Sequence, residues 1–144
     1  MNLGTDNELV EQLFQVTREE KKFIQRELKQ YGLNVLQAQA LNFIANNPGS
    51  IQKELSRYLG KQEASTTNIL KVLETQQLVI RRVAADNERR KKLYLSPAGQ
   101  ELVQSVHNVF IELEQRVSAP LDDEEKQAML VLLHRINRQA NFNH

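Results

Sequence analysis

Apolar residues recur at three- and four-residue steps through most of the chain, and this spacing gives way once to short alternating runs. Over residues 6–31, Leu9, Leu13, Val16, Phe23, Ile24, Leu28 and Tyr31 mark one face of a long helix, and Gly32 suits a left-handed cap at its end. Asn34, with Gln37 three residues on, predicts a capping box for a second helix whose apolar face is Leu36, Ala40, Leu41, Phe43 and Ile44. Asn46-Asn47-Pro48-Gly49 ends it. Ser50 is placed to cap a short helix over 51–58 that buries Ile51, Leu55 and Leu59. A further helix is predicted from about Gln62 to Gln76. In it Thr66, Ile69, Leu70 and Leu73 turn inward, while Ser65, Thr67, Asn68 and Lys71 lie on the opposite side.

The alternating runs follow. Leu78-Val79-Ile80 and Leu93-Tyr94-Leu95 are strand cores around a polar, basic tip at Asp86-Asn87, which has turn chemistry without a glycine. Ser96-Pro97 opens a long helix with a capping hydroxyl and a proline at the first helical position. Leu102, Val103, Val106, Val109, Phe110, Leu113 and Val117 give that helix a wide apolar surface, and Pro120 ends it. The last helix starts near Asp122, where Asp122 to Glu125 set negative charge on the positive end of the dipole. Met129, Leu130, Leu132, Leu133 and Ile136 form its apolar face.

The fold class this order predicts is mainly α with a small β-hairpin wing: a winged helix-turn-helix over residues 33–95, a device for reading duplex DNA, within a single 144-residue chain. The flanking helices, 6–31 and 97–140, carry more apolar surface than so small a lobe can cover. A second copy of the chain is the expected partner, and a twofold dimer also presents two reading helices to successive major grooves.

Charge sharpens this picture. Net charge is only +1, but Ile51 to Leu95 holds ten Lys/Arg and five Asp/Glu, a net of +5, leaving nine and thirteen, a net of −4, elsewhere. A basic middle between acidic ends is what a surface facing phosphate requires. The chain has no cysteine, which excludes disulfides and thiolate chemistry and fits a cytoplasmic location. Its N-terminus does not read as a secretory signal, and no apolar run is long enough to span a membrane, so no membrane partner is expected. His107, His134 and His144 have no neighbours at ligand spacing, and no nucleophile–base grouping or glycine-rich phosphate loop is present. No metal, cofactor or enzymatic activity is therefore expected.

The candidate contacts with double-stranded DNA fall in two places. Lys53, Arg57 and Lys71 are placed for phosphates, while Gln62, Ser65, Thr67 and Asn68 present amides and hydroxyls of the kind that pair with base edges. In the wing, Arg89 and Arg90 sit nearest the tip, where arginine can enter a minor groove or clamp phosphate. The competing reading is that these are solvated faces on a winged module that binds another protein without reading DNA.

Gln37 to Leu41, the helix pair SIQKELSRYLG and STTNILKVLETQQLV, and the passage NERRKKLYLSPAGQEL together resemble the MarR/SlyA family of bacterial transcriptional regulators. The resemblance covers nearly the whole chain. Its most specific part is Arg89-Arg90-Lys91-Lys92 leading through Leu95-Ser96 to Ala98-Gly99. It implies a triangular homodimer on a pseudo-palindromic operator, and a repressor relieved by a small, lipophilic or phenolic effector. An aspartate that holds the reading arginine in the family falls here at Asn87, with Asp86 one residue earlier, which makes Asp86 a further wing candidate.

Overall fold

The computed structural model describes residues 8–84 and 87–139, with the backbone alone at 84 and 87–90. Six helices, α1 (Glu8–Lys29), α2 (Val35–Asn46), α3 (Gln52–Leu59), α4 (Glu63–Thr75), α5 (Pro97–Ser118) and α6 (Asp123–Gln139), accompany three strands. These are β1 (Ser50–Ile51), β2 (Val79–Ala84) and β3 (Asn87–Leu95), in the antiparallel order β1-β3-β2. The helix, helix, hairpin succession is that of a winged helix. The chain divides into two compact units, Met1–Phe110 and Ile111–His144.

In the first unit, Leu28, Leu41, Ile44, Leu55, Leu70, Leu73 and Leu93 form a fully buried centre, closed by Leu33, Val79, Leu95 and Val106. The start of α5 thus belongs to this core. The capping box of α2 forms as its spacing predicts: the Gln37 amide donates to Asn34 Oδ1 at 2.8 Å and the Asn34 amide to Gln37 Oε1 at 3.0 Å. Phe23 and Leu28 of α1 are buried, whereas Leu9, Val10, Phe14 and Val16 nearer its start are exposed.

Three helices end by one device. After α1, the amides of Gly32 and Leu33 donate back to the carbonyls of Lys29 and Leu28; after α3, those of Gly60 and Lys61 reach Arg57 and Ser56; after α4, those of Gln77 and Leu78 reach Glu74 and Leu73. Each pair satisfies carbonyls the helix leaves open, and each requires positive φ at the first donor. Gly32 (φ 71°) and Gly60 (φ 65°) meet this without a Cβ, but at the third site the residue is Gln77, at φ 61°.

The turn at Gln77 is also where α5 is anchored. The Ser96 amide donates to the Leu78 carbonyl at 3.0 Å, its hydroxyl donates to the Gln77 carbonyl at 2.6 Å, and the same oxygen accepts from the Gly99 amide at 3.0 Å. Ser96 is therefore the cap expected for α5 and a tie to the end of α4. Gly99 lies so close that a Cβ there would overlap the Leu78 carbonyl oxygen.

One local expectation is corrected. Ser50 does not cap α3: it lies in β1, paired opposite Leu93, and Ile51 takes the cap position without a side-chain bond, its own amide donating to Glu54 Oε1 at 3.2 Å. The strand β1 itself was not anticipated. The hairpin is also not regular. Val83 and Ala84 are adjacent, yet their partners on β3 are Lys91 and Asn87, so Glu88, Arg89 and Arg90 form a bulge without partners across the ladder.

In the second unit, α6 opens with a capping box of its own, the Glu125 amide on Asp122 Oδ1 at 2.8 Å and the Asp122 amide on Glu125 Oε1 at 3.0 Å. Lys126 pairs with Glu114 at 2.9 Å, linking α6 to the end of α5. No residue of α6 is buried, and Met129, Leu130, Val131, Leu132 and Ile136 are exposed.

Two substitutions test the turn after α4. Gln77→Gly removes a left-handed residue with a Cβ and is expected to raise unfolding stability by about 1 kcal/mol in urea titrations. Gly99→Ala forces the α5 backbone off Leu78 and is expected to cost about 2 kcal/mol in the same measurement.

Candidate nucleic-acid interface

The second helix of the motif is held by its inward residue. Thr66 is fully buried, as its alignment with Leu70 and Leu73 predicts. Its hydroxyl accepts from Ser56 Oγ at 2.8 Å, and it donates to the Gln62 carbonyl at 3.2 Å. This pair of buried hydroxyls ties α3 to α4 and turns the opposite side of α4 outward. Ser65, Asn68 and Lys71 are exposed there, with Gln62 exposed at the helix cap. Lys53 and Arg57 are exposed on α3.

Thr67 is on the same outward side, but its hydroxyl is engaged. It donates to the Glu63 carbonyl at 2.8 Å and accepts from Gln52 Nε2 at 2.6 Å. Gln52 Nε2 also reaches the Glu63 carbonyl at 3.2 Å, and Gln52 Oε1 accepts from Arg81 Nη1 at 3.3 Å. Arg81 in turn pairs through Nε with Glu74. A polar chain thus runs from β2 through α3 to the first turn of α4. Gln52 and Glu74 carry no distinguishing signal in the sequence, and Arg81, one of six Lys/Arg residues of the hairpin, is set apart only where the three elements meet.

Beside this chain lies a depression of about 320 Å³ lined by Ile51, Gln52, Lys53, Glu63, Arg81, Lys91 and Leu93. Lys53, Arg81 and Lys91 line it together with Glu63, at the start of α3, where Ile51 offers no side-chain cap. Lys53 is thereby brought beside the base of the wing, and Lys91 joins the candidates. On the strands, Arg82 stacks over the Tyr94 ring, 5.4 Å from its centroid, and Lys92 is exposed. Arg89 and Arg90 are described by backbone only, on the bulged part of β3, and Asp86 lies outside the described residues.

Among the described residues no group of three potential metal ligands comes together, and no helix is long and apolar enough to cross a membrane.

Comparison with known proteins agrees with this geometry. Residues 31–90 match a MarR family model. A Thauera aromatica protein named for transcriptional regulation of the hcr operon is 30% identical over 99 residues, covering 69% of this chain and 60% of that protein's length. A Clostridium acetobutylicum structure described as a MarR family transcriptional regulator superposes with a TM-score of 0.74 at 29% identity, over 93% of this chain and 99% of the other. A point mutant of Staphylococcus aureus MepR gives 0.80 at 26% identity, covering 94% and 98%, and MepR in complex with DNA gives 0.78 over the same shares. The winged lobe thus carries the match to the MarR family, and over most of its length the chain has the fold of MarR family winged-helix regulators.

Proposed function

We propose that the chain is a sequence-selective duplex-DNA-binding transcriptional regulator that works as a homodimer on an inverted repeat. The observation that carries this reading is the outward side of α4, where Ser65, Asn68 and Lys71 stand clear of the core beside a depression that carries the exposed Lys53 and Lys91. Hydroxyls and amides on a protruding helix suit base edges in a major groove, and the cations suit the phosphates beside it. A backbone phosphate at the depression would meet the ammonium groups of Lys53 and Lys91. Arg89 and Arg90, on the bulge of β3, complete the grip in the flanking minor groove. The DNA complex of MepR, a protein of the same fold, supports the reading.

The dimer rests on apolar surface. Leu9, Val10, Phe14 and Val16 on α1 and Met129, Val131 and Leu132 on α6 are exposed, which a partner subunit would cover. Regulation follows as the family resemblance implies: repression, relieved when a small lipophilic or phenolic molecule favours a dimer whose two reading helices no longer match successive grooves. The chemistry of this proposal stays within a cytoplasmic, cofactor-free protein.

Selection from a random duplex library is expected to return an inverted repeat, bound with log affinity falling against log salt with a slope near −5, as for about six phosphate contacts. Arg89→Ala with Arg90→Ala is expected to flatten that slope by about 2. Equal binding to every duplex, or a slope unmoved by the wing substitutions, would return the chain to the protein-interaction reading. In sedimentation the protein is expected to run as a dimer, and Leu132→Glu, by placing a charge in the apolar face of α6, to shift it toward monomer and weaken binding to the two-site repeat more than to a single half-site.

A further inference from the structure

The polar chain at the base of the wing does not reach outward for DNA; it joins the parts that do. Gln52 is its centre. The Glu63 carbonyl can only accept a hydrogen bond and the Arg81 guanidinium can only donate one, so the Gln52 amide has a single orientation that satisfies both. In that orientation Nε2 serves the first turn of α4, through the Glu63 carbonyl and Thr67 Oγ1, while Oε1 serves β2 through Arg81. The remaining face of Arg81 is fixed by Glu74 at the far end of α4. Helix α4 is therefore gripped near both ends from the strand that leads to the wing, with the grip routed through one side chain of α3.

This matters because the two reading elements enter different grooves, and a change in the angle between them moves every base contact at once. Resting on the DNA-reading function proposed above, we infer that Gln52, Thr67 and Arg81 are positioning residues that set the recognition helix against the wing, and that Thr67 acts through its bond to Gln52 rather than on a base. The hydroxyl supports this division. Its one proton goes to the Glu63 carbonyl and it already accepts from Gln52, so it is held by the protein on both sides.

The test uses the full-length protein, the inverted repeat it selects, and a scrambled duplex of the same length. Thr67→Val keeps the shape and charge of the side chain and removes the hydroxyl; Gln52→Leu removes the amide. Each is expected to reduce the preference for the repeat over the scrambled duplex by about tenfold or more, while affinity for the scrambled duplex stays within about twofold. The loss should spread over several base pairs of the half-site, Thr67→Ser should restore the preference, and the double variant should be little worse than either single one. The inference is overturned by a Thr67→Val protein with wild-type preference, by a loss confined to one base pair, or by parallel falls for both duplexes that follow a lost folded fraction in calorimetry. A wild-type protein without preference for any duplex would remove the proposed function as well, and that result is read before any variant is made.

Discussion

Within three residues after α4 the chain must stop a helix, start a strand and receive the helix that follows the wing. Backbone hydrogen bonding solves all three demands at one place. The carbonyls of Leu73 and Glu74 are taken by the amides of Leu78 and Gln77, which ends α4; the carbonyls of Gln77 and Leu78 are then taken by Ser96, which starts α5. Because β2 leaves from this turn and β3 returns to it, the root of the wing is fixed relative to both helices. The absence of a Cβ at Gly99 permits the approach, and a buried polar backbone left unpaired here would cost more than the left-handed geometry of Gln77 does. The regular pairing of the hairpin does not run its whole length. Its irregular register begins between Val83 and Ala84, at the end of β2 away from Ser96.

A second constraint follows from the first. With the wing rooted behind α4, something must hold the front of α4, where its exposed polar residues lie. The buried Ser56–Thr66 hydroxyl pair does this from the core side, and the Gln52 amide does it from the strand side. The two attachment points are adjacent residues of α4 and differ in environment. Thr66 is sealed from water, so its bond is expensive to break; Thr67 is exposed, so its bond competes with solvent and sets geometry more than stability.

What could be read from the sequence was whatever depends on neighbours close in the chain. The capping pairs Asn34–Gln37 and Ser96–Gly99 close within three residues, the left-handed cap at Gly32 needs only a glycine, and the inward turn of Thr66 follows from its spacing to Leu70 and Leu73. What could not be read depends on partners far apart. Ser50 looks like a helix cap locally, and becomes a strand residue because Leu93, far along the chain, offers it a ladder. Gln52 meets Thr67 across 15 residues and Arg81 across 29, so no motif links them. The αL geometry at Gln77 carried no signal because the residue type does not prefer it. For the interface, the same boundary holds: the sequence pattern separated the outward from the inward side of α4, but exposure alone did not distinguish an outward-reaching side chain such as Asn68 from a committed one such as Thr67.

The distribution of charge completes the division of labour. Among the described basic residues in the middle of the chain, Arg81 is drawn into the polar chain with Glu74 and Gln52, while Lys53, Arg57, Lys71, Lys91 and Lys92 remain exposed. A paired, partly covered arginine contributes little to a long-range field, since its partner cancels it at distance, whereas the exposed lysines keep theirs. Arginine suits the first role because its planar fork serves a carboxylate and an amide oxygen at once, which a lysine could not do in fixed geometry. Lysine suits the second, as a mobile point charge that follows a phosphate without demanding a set orientation. In this lobe the two cations are therefore not interchangeable: exchanging Arg81 for lysine would preserve net charge but lose the fixed bonds to Glu74 and Gln52 on which the proposed selectivity for DNA rests.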